Sequence, residues 1–147
     1  MKILTGNTAD NIRKKYILHF VDTEGDYYTK LIQKLDMCSD GMCYTGYLWD
    51  CFKNKFLMPE QDCIQYLANA DSIYVFWDIH SKDRILIPNY WKYPKDAVLQ
   101  MNYDEFLINI PKFPEDIYIL DDSFEWSVAL THETDTKENR YCLFAYP

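Results

Sequence analysis

Only four glycines occur in this chain of 147 residues, and no Gly-x-Ser-x-Gly or Walker-type phosphate loop is present. The strained nucleophile turn of many hydrolases and the backbone cradle of nucleotide-binding loops are therefore excluded. Histidine is also scarce. His19, His80 and His132 are the only three, and His132-Glu133 lacks the second histidine of a zinc-binding His-Glu-x-x-His. No Cys-x-x-Cys pair occurs among Cys38, Cys43, Cys51, Cys63 and Cys142, so the usual zinc and redox spacings are missing. Bases are few, with 15 Lys and Arg against 23 Asp and Glu, a net charge of -8 and a pI near 4.7. That balance argues against binding a phosphate backbone, which needs a cationic surface, and hence against a nucleic-acid partner. No apolar run approaches the length of a membrane span, and Met1-Lys2-Ile3-Leu4-Thr5-Gly6 turns polar within four residues. A cytoplasmic location and no membrane contact are expected. An odd cysteine count without a secretion signal argues against a disulfide framework. Cys51 and Cys63 are read as small core residues. Cys38 and Cys43 flank a Gly-containing turn and leave a weak metal site as an alternative.

What the chain has in quantity is apolar and aromatic surface: 48% apolar residues, 17% aromatics and 13 tyrosines. A chain of this length suits one domain, here residues 1–147, and buries roughly 68–70% of its unfolded surface. A core is thus attainable without metal or disulfide. Tyrosine joins an apolar body to a polar tip, so it suits both the rim of a core and a binding surface.

The front half reads as helical. Asp10 caps a helix to about Phe20, and a second runs from Asp26 to Leu35 with Tyr27, Leu31, Ile32 and Leu35 as its stripe. Ser39-Asp40-Gly41 is a turn, and Tyr44 to Lys53 form a third helix. A fourth follows Met58: Pro59 suits its first turn, Glu60 and Asp62 its positive end, and Cys63, Ile64, Tyr66 and Leu67 an apolar face. The back half reads as strand. Ser72–Trp77 and Arg84–Ile87 suggest a hairpin across a turn containing His80. Residues Asn89 to Lys95 are irregular, and a short helix covers Tyr103 to Asn109. Strands are expected at Asp116–Leu120, Glu125–Thr131 and Tyr141–Ala145, the first two joined by an acidic turn. The expected fold class is α+β, with N-terminal helices packed on one face of a mainly antiparallel sheet formed by the C-terminal half.

Between Pro111 and Asn139 stand eight acids, Glu115, Asp116, Asp121, Asp122, Glu125, Glu133, Asp135 and Glu138, against Lys112 and Lys137. Adjacent carboxylates on a turn are both solvated and ionised, which does not suit acid–base chemistry. Asp121-Asp122-Ser123 also lacks the glycine and spacing of a calcium loop. Collectively the acids form a patch that would speed association with a cationic protein. Trp126, Tyr141 and Tyr146 are candidate aromatic anchors, Trp126 with a core reading beside it.

Gly46-Tyr47-Leu48-Trp49-Asp50-Cys51-Phe52, the run Ile117 to Ser127 containing Asp121-Asp122-Ser123-Phe124-Glu125-Trp126, and Thr131-His132-Glu133 resemble an uncharacterised bacterial family, domain of unknown function 4275. Its members show a Leu-Trp-His-x-Phe-like helix and an aspartate-aromatic-x-Trp-Thr strand running to Thr-His-Glu. The order and spacing fit across about two-thirds of the chain. Asp50 stands where the family often has His, and Glu125 where it often has Asn. The resemblance implies no activity. The small acidic form is also similar to immunity proteins of bacterial toxin systems, including contact-dependent growth inhibition, which bind a cognate toxin domain, often a basic nuclease.

The expected function is therefore that of an immunity-type protein without catalysis, cofactor or metal. Asp121, Asp122, Glu125, Trp126, His132, Glu133 and Asp135 would face a basic toxin domain. The alternatives are a small enzyme using His132 and Glu133, and a structural or regulatory module. Oligomeric state stays open.

Overall fold

The computed structural model describes residues 1–30, 32, 47–78, 93–94, 96–137 and 139–147. The Ser39-Asp40-Gly41 turn, Cys38, Cys43, His80, Arg84–Ile87 and Glu138 lie outside the described residues. The fold is α+β, as expected.

The elements run β1 (Lys2–Leu4), α1 (Gly6–Phe20), α2 (Asp26–Lys30), a 3-10 turn (Leu48–Cys51), β2 (Asn54–Pro59), α3 (Glu60–Leu67), β3 (Ile73–Phe76) and β4 (Val98–Met101). There follow α4 (Tyr103–Asn109), a second 3-10 turn (Ile110–Lys112), β5 (Ile117–Leu120), β6 (Ser127–Thr134) and β7 (Arg140–Tyr146). The seven strands among the described residues form one sheet, ordered β1-β4-β3-β5-β6-β7-β2, and each of these pairings is antiparallel.

The sheet reaches beyond the C-terminal half: among the described residues β1 and β2 are its two edges. Both hydrogen-bonding sides of β3 are taken, by β4 and β5, so the expected pairing of β3 with Arg84–Ile87 is not the one formed. The third helix expected over Tyr44 to Lys53 is, in its described part, only the short 3-10 turn, after which Asn54 enters β2. Helix α1 starts one turn before Asp10, which is no cap and instead pairs with Lys14 at 2.6 Å. Helix α4 has the expected bounds, because Asn102 and Glu105 close a reciprocal capping box.

Helices cover both faces of the sheet, not one. Ile117-Tyr118-Ile119-Leu120 is buried at all four positions, so β5 presents apolar side chains in both directions and needs two covers. On one face Ala9, Tyr16 and Phe20 of α1 meet Tyr118, Leu120 and Ala129. On the other, Cys63 and Leu67 of α3 and Phe106 of α4 meet Ile117, Ile119 and Val128.

Cysteine usage also departs from expectation. Cys63 is no free core thiol: it forms a disulfide with Cys142, 79 residues away, tying α3 to β7. The spacing offered no sign of it, since the two half-cystines meet only once the sheet has assembled. Cys51 is buried and free, and burial, then Asp50, pushes its thiol up to about 12. It stays protonated and makes a poor nucleophile.

Candidate functional site

The acidic turn between β5 and β6 is tightly built. The Asp121 carboxylate accepts from the Ser123 N–H at 3.0 Å and from the indole N–H of Trp126 at 2.9 Å. Phe124 takes a positive φ of 59° and is buried, with the Lys15 ammonium 3.9 Å from its ring centroid. Trp126 is 8% exposed, so it belongs to the core side of the two readings. Asp122 and Glu125 are exposed, and their carboxylates carry no ion pair or hydrogen bond among the described residues, although the Glu125 N–H donates to the Ser123 hydroxyl at 3.1 Å.

Glu133 and Asp135 sit at the far end of the hairpin. Strand β6 is eight residues long, which at ~3.3 Å per residue puts ~25 Å between its ends. The seven expected site residues thus divide into Asp121, Asp122, Glu125 and Trp126 at one end and His132, Glu133 and Asp135 at the other. Asp135 caps the β6–β7 turn, accepting from the Lys137 and Asn139 backbone N–H groups and the Asn139 amide. These bonds, that of the Asn139 side chain foremost, hold its carboxyl below the usual range, so it remains negative into mild acid.

Thr131-His132-Glu133 coincides with an irregularity. Leu130 pairs with Cys142 and Thr134 with Arg140, so three residues of β6 face one of β7. Such a bulge re-aims side chains. His132 Nδ1 lies 3.0 and 3.1 Å from the two Asp116 carboxylate oxygens. The same Asp116 accepts from the His132 backbone N–H at 3.2 Å and the Trp49 indole N–H at 3.3 Å. The rings of Tyr47 and Trp49 stack on each other and stand 5.0 and 6.2 Å from the imidazole. Asp116, not Glu133, is therefore the carboxylate of His132. Glu133 is exposed and has no partner among the described residues. The arrangement clasps the bulge to the 3-10 turn.

Beneath this clasp lies a buried polar centre. Asp78, 2% exposed, accepts from the Tyr118 hydroxyl at 2.5 Å and the Leu48 N–H at 3.4 Å, and Tyr118 accepts from the Trp49 N–H. Burial raises the Asp78 carboxyl from its ordinary value to about 7, and Asp116 adds to the rise. A folded-state value above the unfolded one means that protonated Asp78 stabilises the fold at low pH and that this contribution is lost as pH rises through about 7. Between about pH 4 and 7 this group alone should lower stability with rising pH, by at most ~1.4 kcal/mol per unit. Urea unfolding of wild type and Asp78→Asn at pH 5 and pH 8 checks this. The variant should lose part of the wild-type decline, and an identical pH response would refute the assignment.

The surface that sequence reasoning missed lies along β2. Phe56, Tyr66 and Tyr146 are 48%, 42% and 46% exposed. They form a ladder through Phe144: Phe56–Phe144 at 5.2 Å, Tyr66–Phe144 at 4.9 Å and Phe56–Tyr146 at 6.4 Å between centroids. Trp126 adjoins Tyr66 at 5.1 Å, which brings the Glu125 turn to one end of the ladder. Tyr146 was an expected anchor. Tyr66 was placed on an apolar helix face and Phe56 in no element, and the only local clue was Lys and Pro flanking a short apolar run, the composition of an edge strand.

Two grooves border the same strand. One, of about 780 Å³, is lined by Leu57, Met58, Ile64, Glu60, Asp135 and Arg140 among others. The other, of about 420 Å³, includes Trp49, Leu57, Leu143, Lys55 and Glu133. The bases of both are turned inward. The Lys55 ammonium donates to the Trp49 and Asp50 carbonyls, and the Arg140 guanidinium to those of Thr131 and Glu115. Neither groove includes His132. Among the described residues no three His, Cys, Asp or Glu groups are placed to hold a metal ion, and no helix is long and apolar enough to cross a membrane. Comparison with protein-family models, with curated proteins and with solved structures finds no match to this chain.

Proposed function

We propose that this protein is a cytoplasmic binding protein of immunity type, which captures a basic toxin domain and performs no chemistry on it. The observation that carries the reading is the exposed aromatic ladder of Phe56, Tyr66 and Tyr146 beside carboxylates that have no internal partner. Large exposed aromatics are the residues on which binding energy concentrates when they become desolvated. Free carboxylates around them attract a cationic surface and set its orientation. The net charge of -8 strengthens steering at long range. Asp122 and Glu125 at one end and Glu60 and Glu133 at the other bracket the ladder, and Asp135, though bound into the β6–β7 turn, adds its charge at the second end.

The test is to look beside this gene for one encoding a large secreted protein and to co-express the C-terminal domain of that protein with this one. Rescue of growth and co-purification are expected. The triple variant Asp122→Lys/Glu125→Lys/Glu133→Lys changes only carboxylates without internal partners. It should weaken binding about tenfold or more and flatten the salt dependence of affinity. Failure of the wild type to rescue or co-purify would refute the reading, and an unchanged salt response in the variant would remove the acids from the interface.

A further inference from the structure

We infer that the outer edge of β2 is a docking site for an extended basic segment of the partner, which pairs with Asn54–Pro59 as an eighth strand. The inference rests on the proposed binding function and names its mode. Among the described residues β2 pairs on one side only, with β7. Its six residues span ~20 Å, enough for a six-residue partner strand.

Sheet edges are normally protected by short length, by charged side chains projecting over them, or by proline. At the opposite edge β1 is protected by length, having only three residues. Strand β2 has twice that length. Its Lys55 does not project over the edge, because the ammonium is bound to carbonyls of the 3-10 turn, and Pro59 guards only the last position. Meanwhile Phe56 and Leu57, on opposite faces, are 48% and 60% exposed.

The two grooves specify the occupant. A strand laid along β2 directs alternate side chains to the two faces of the sheet, and thus towards the groove holding Glu60 and Asp135 and the one holding Glu133. Each offers apolar surface and a carboxylate, while the bases Arg140 and Lys55 are bound to backbone oxygens. Lysine or arginine with β-branched residues is the matching chemistry. A second copy of this chain does not match, because two molecules of charge -8 repel.

A synthetic six-residue peptide of alternating lysine and valine, capped at both ends, is the probe. Its twin is N-methylated at two consecutive central residues, which blocks both hydrogen-bonding edges and leaves charge and side chains intact. The parent should bind this protein with an affinity that falls as salt rises, and should slow amide exchange within Asn54–Met58 at least tenfold. The twin should bind at least tenfold more weakly and leave exchange unchanged. Equal binding of both peptides, or no added protection in β2, would overturn strand addition. Salt-dependent binding in that case would still support a basic partner. Absence of binding by both peptides would also overturn strand addition, and the proposed function would then stand or fall on co-purification. Dimers with β2 amides already protected before peptide is added would overturn it as well, by assigning the edge to a second copy.

Discussion

Replacing Arg13 with Ala should destabilise this protein by roughly 3–5 kcal/mol, the range for breaking a buried charge network by removing one member. The guanidinium lies between α1 and the sheet. It donates to the carbonyls of Trp77 at 3.1 Å, Ala97 at 3.1 Å and Asp96 at 3.2 Å, and stands 4.8 Å from the Phe76 ring centroid. One side chain thus ties the end of β3 and the approach to β4 to the first helix. Burial lowers its pKa to about 10, and Asp78 chiefly opposes the fall, so it is still charged at neutral pH. Truncation leaves three carbonyls short of a donor, opens a space where the aliphatic stem packed, and strips Asp78 of a nearby cation. Arg13→Met keeps much of the stem and should recover part of the loss, which separates packing from hydrogen bonding. Urea unfolding at pH 7 gives both values, and a loss below ~1 kcal/mol for the Ala variant would show that the network is not a principal support.

The second large effect belongs to Cys63–Cys142. A bond that closes a loop of 79 residues restricts the unfolded chain strongly, and chain-entropy reasoning puts the stabilisation at up to ~4.5 kcal/mol. The double variant Cys63→Ala/Cys142→Ala should lose about 3–4 kcal/mol in urea unfolding, since native strain and residual structure reduce the ideal figure. Wild type in excess reductant should fall by a similar amount, and the double variant should be indifferent to reductant. Wild type that is equally indifferent would refute the bond. The result also tests the proposed cytoplasmic location, because persistent disulfides are characteristic of oxidising surroundings and rare in the cytosol, so a bond found intact in protein trapped directly from cells would count against it.

The elements that could be read in advance are those whose signal is local. Pro59 with Glu60 and Asp62 marked the start of α3, and a short helix was expected over Tyr103 to Asn109, where Asn102 and Glu105 prove to close a capping box. Ile117-Tyr118-Ile119-Leu120 announced β5 as an apolar strand, but helices were expected on one face only, whereas its four buried positions take cover on both. The strands that escaped notice, β1, β2 and β4, hold their places through partners remote in sequence. Lys2 faces Gln100 and Asn54 faces Tyr146. A short segment containing Lys and Asn carries no periodicity that reveals such a neighbour.

The candidate site divides in the same way. The acids were visible as a cluster in sequence, but a strand ~25 Å long stands between its two halves. Trp126 appeared as a candidate anchor and is instead bonded to Asp121, whereas Tyr66, placed on an apolar helix face, is 42% exposed. His132 and Glu133 are adjacent in the chain, yet the bulge turns His132 to Asp116, sixteen residues earlier.

By itself the sequence determined the α+β class, the negative charge, the hairpin of β5 and β6 and the absence of the common catalytic motifs, since composition and short-range periodicity are properties of the chain before it folds. Tertiary structure alone decided the strand order, the half-cystine pairing, the Asp116–His132 clasp and the β2 edge left unpaired among the described residues. Each depends on which distant segments share a sheet, and that choice is made by collective burial on two faces at once, a quantity no local stretch of residues contains.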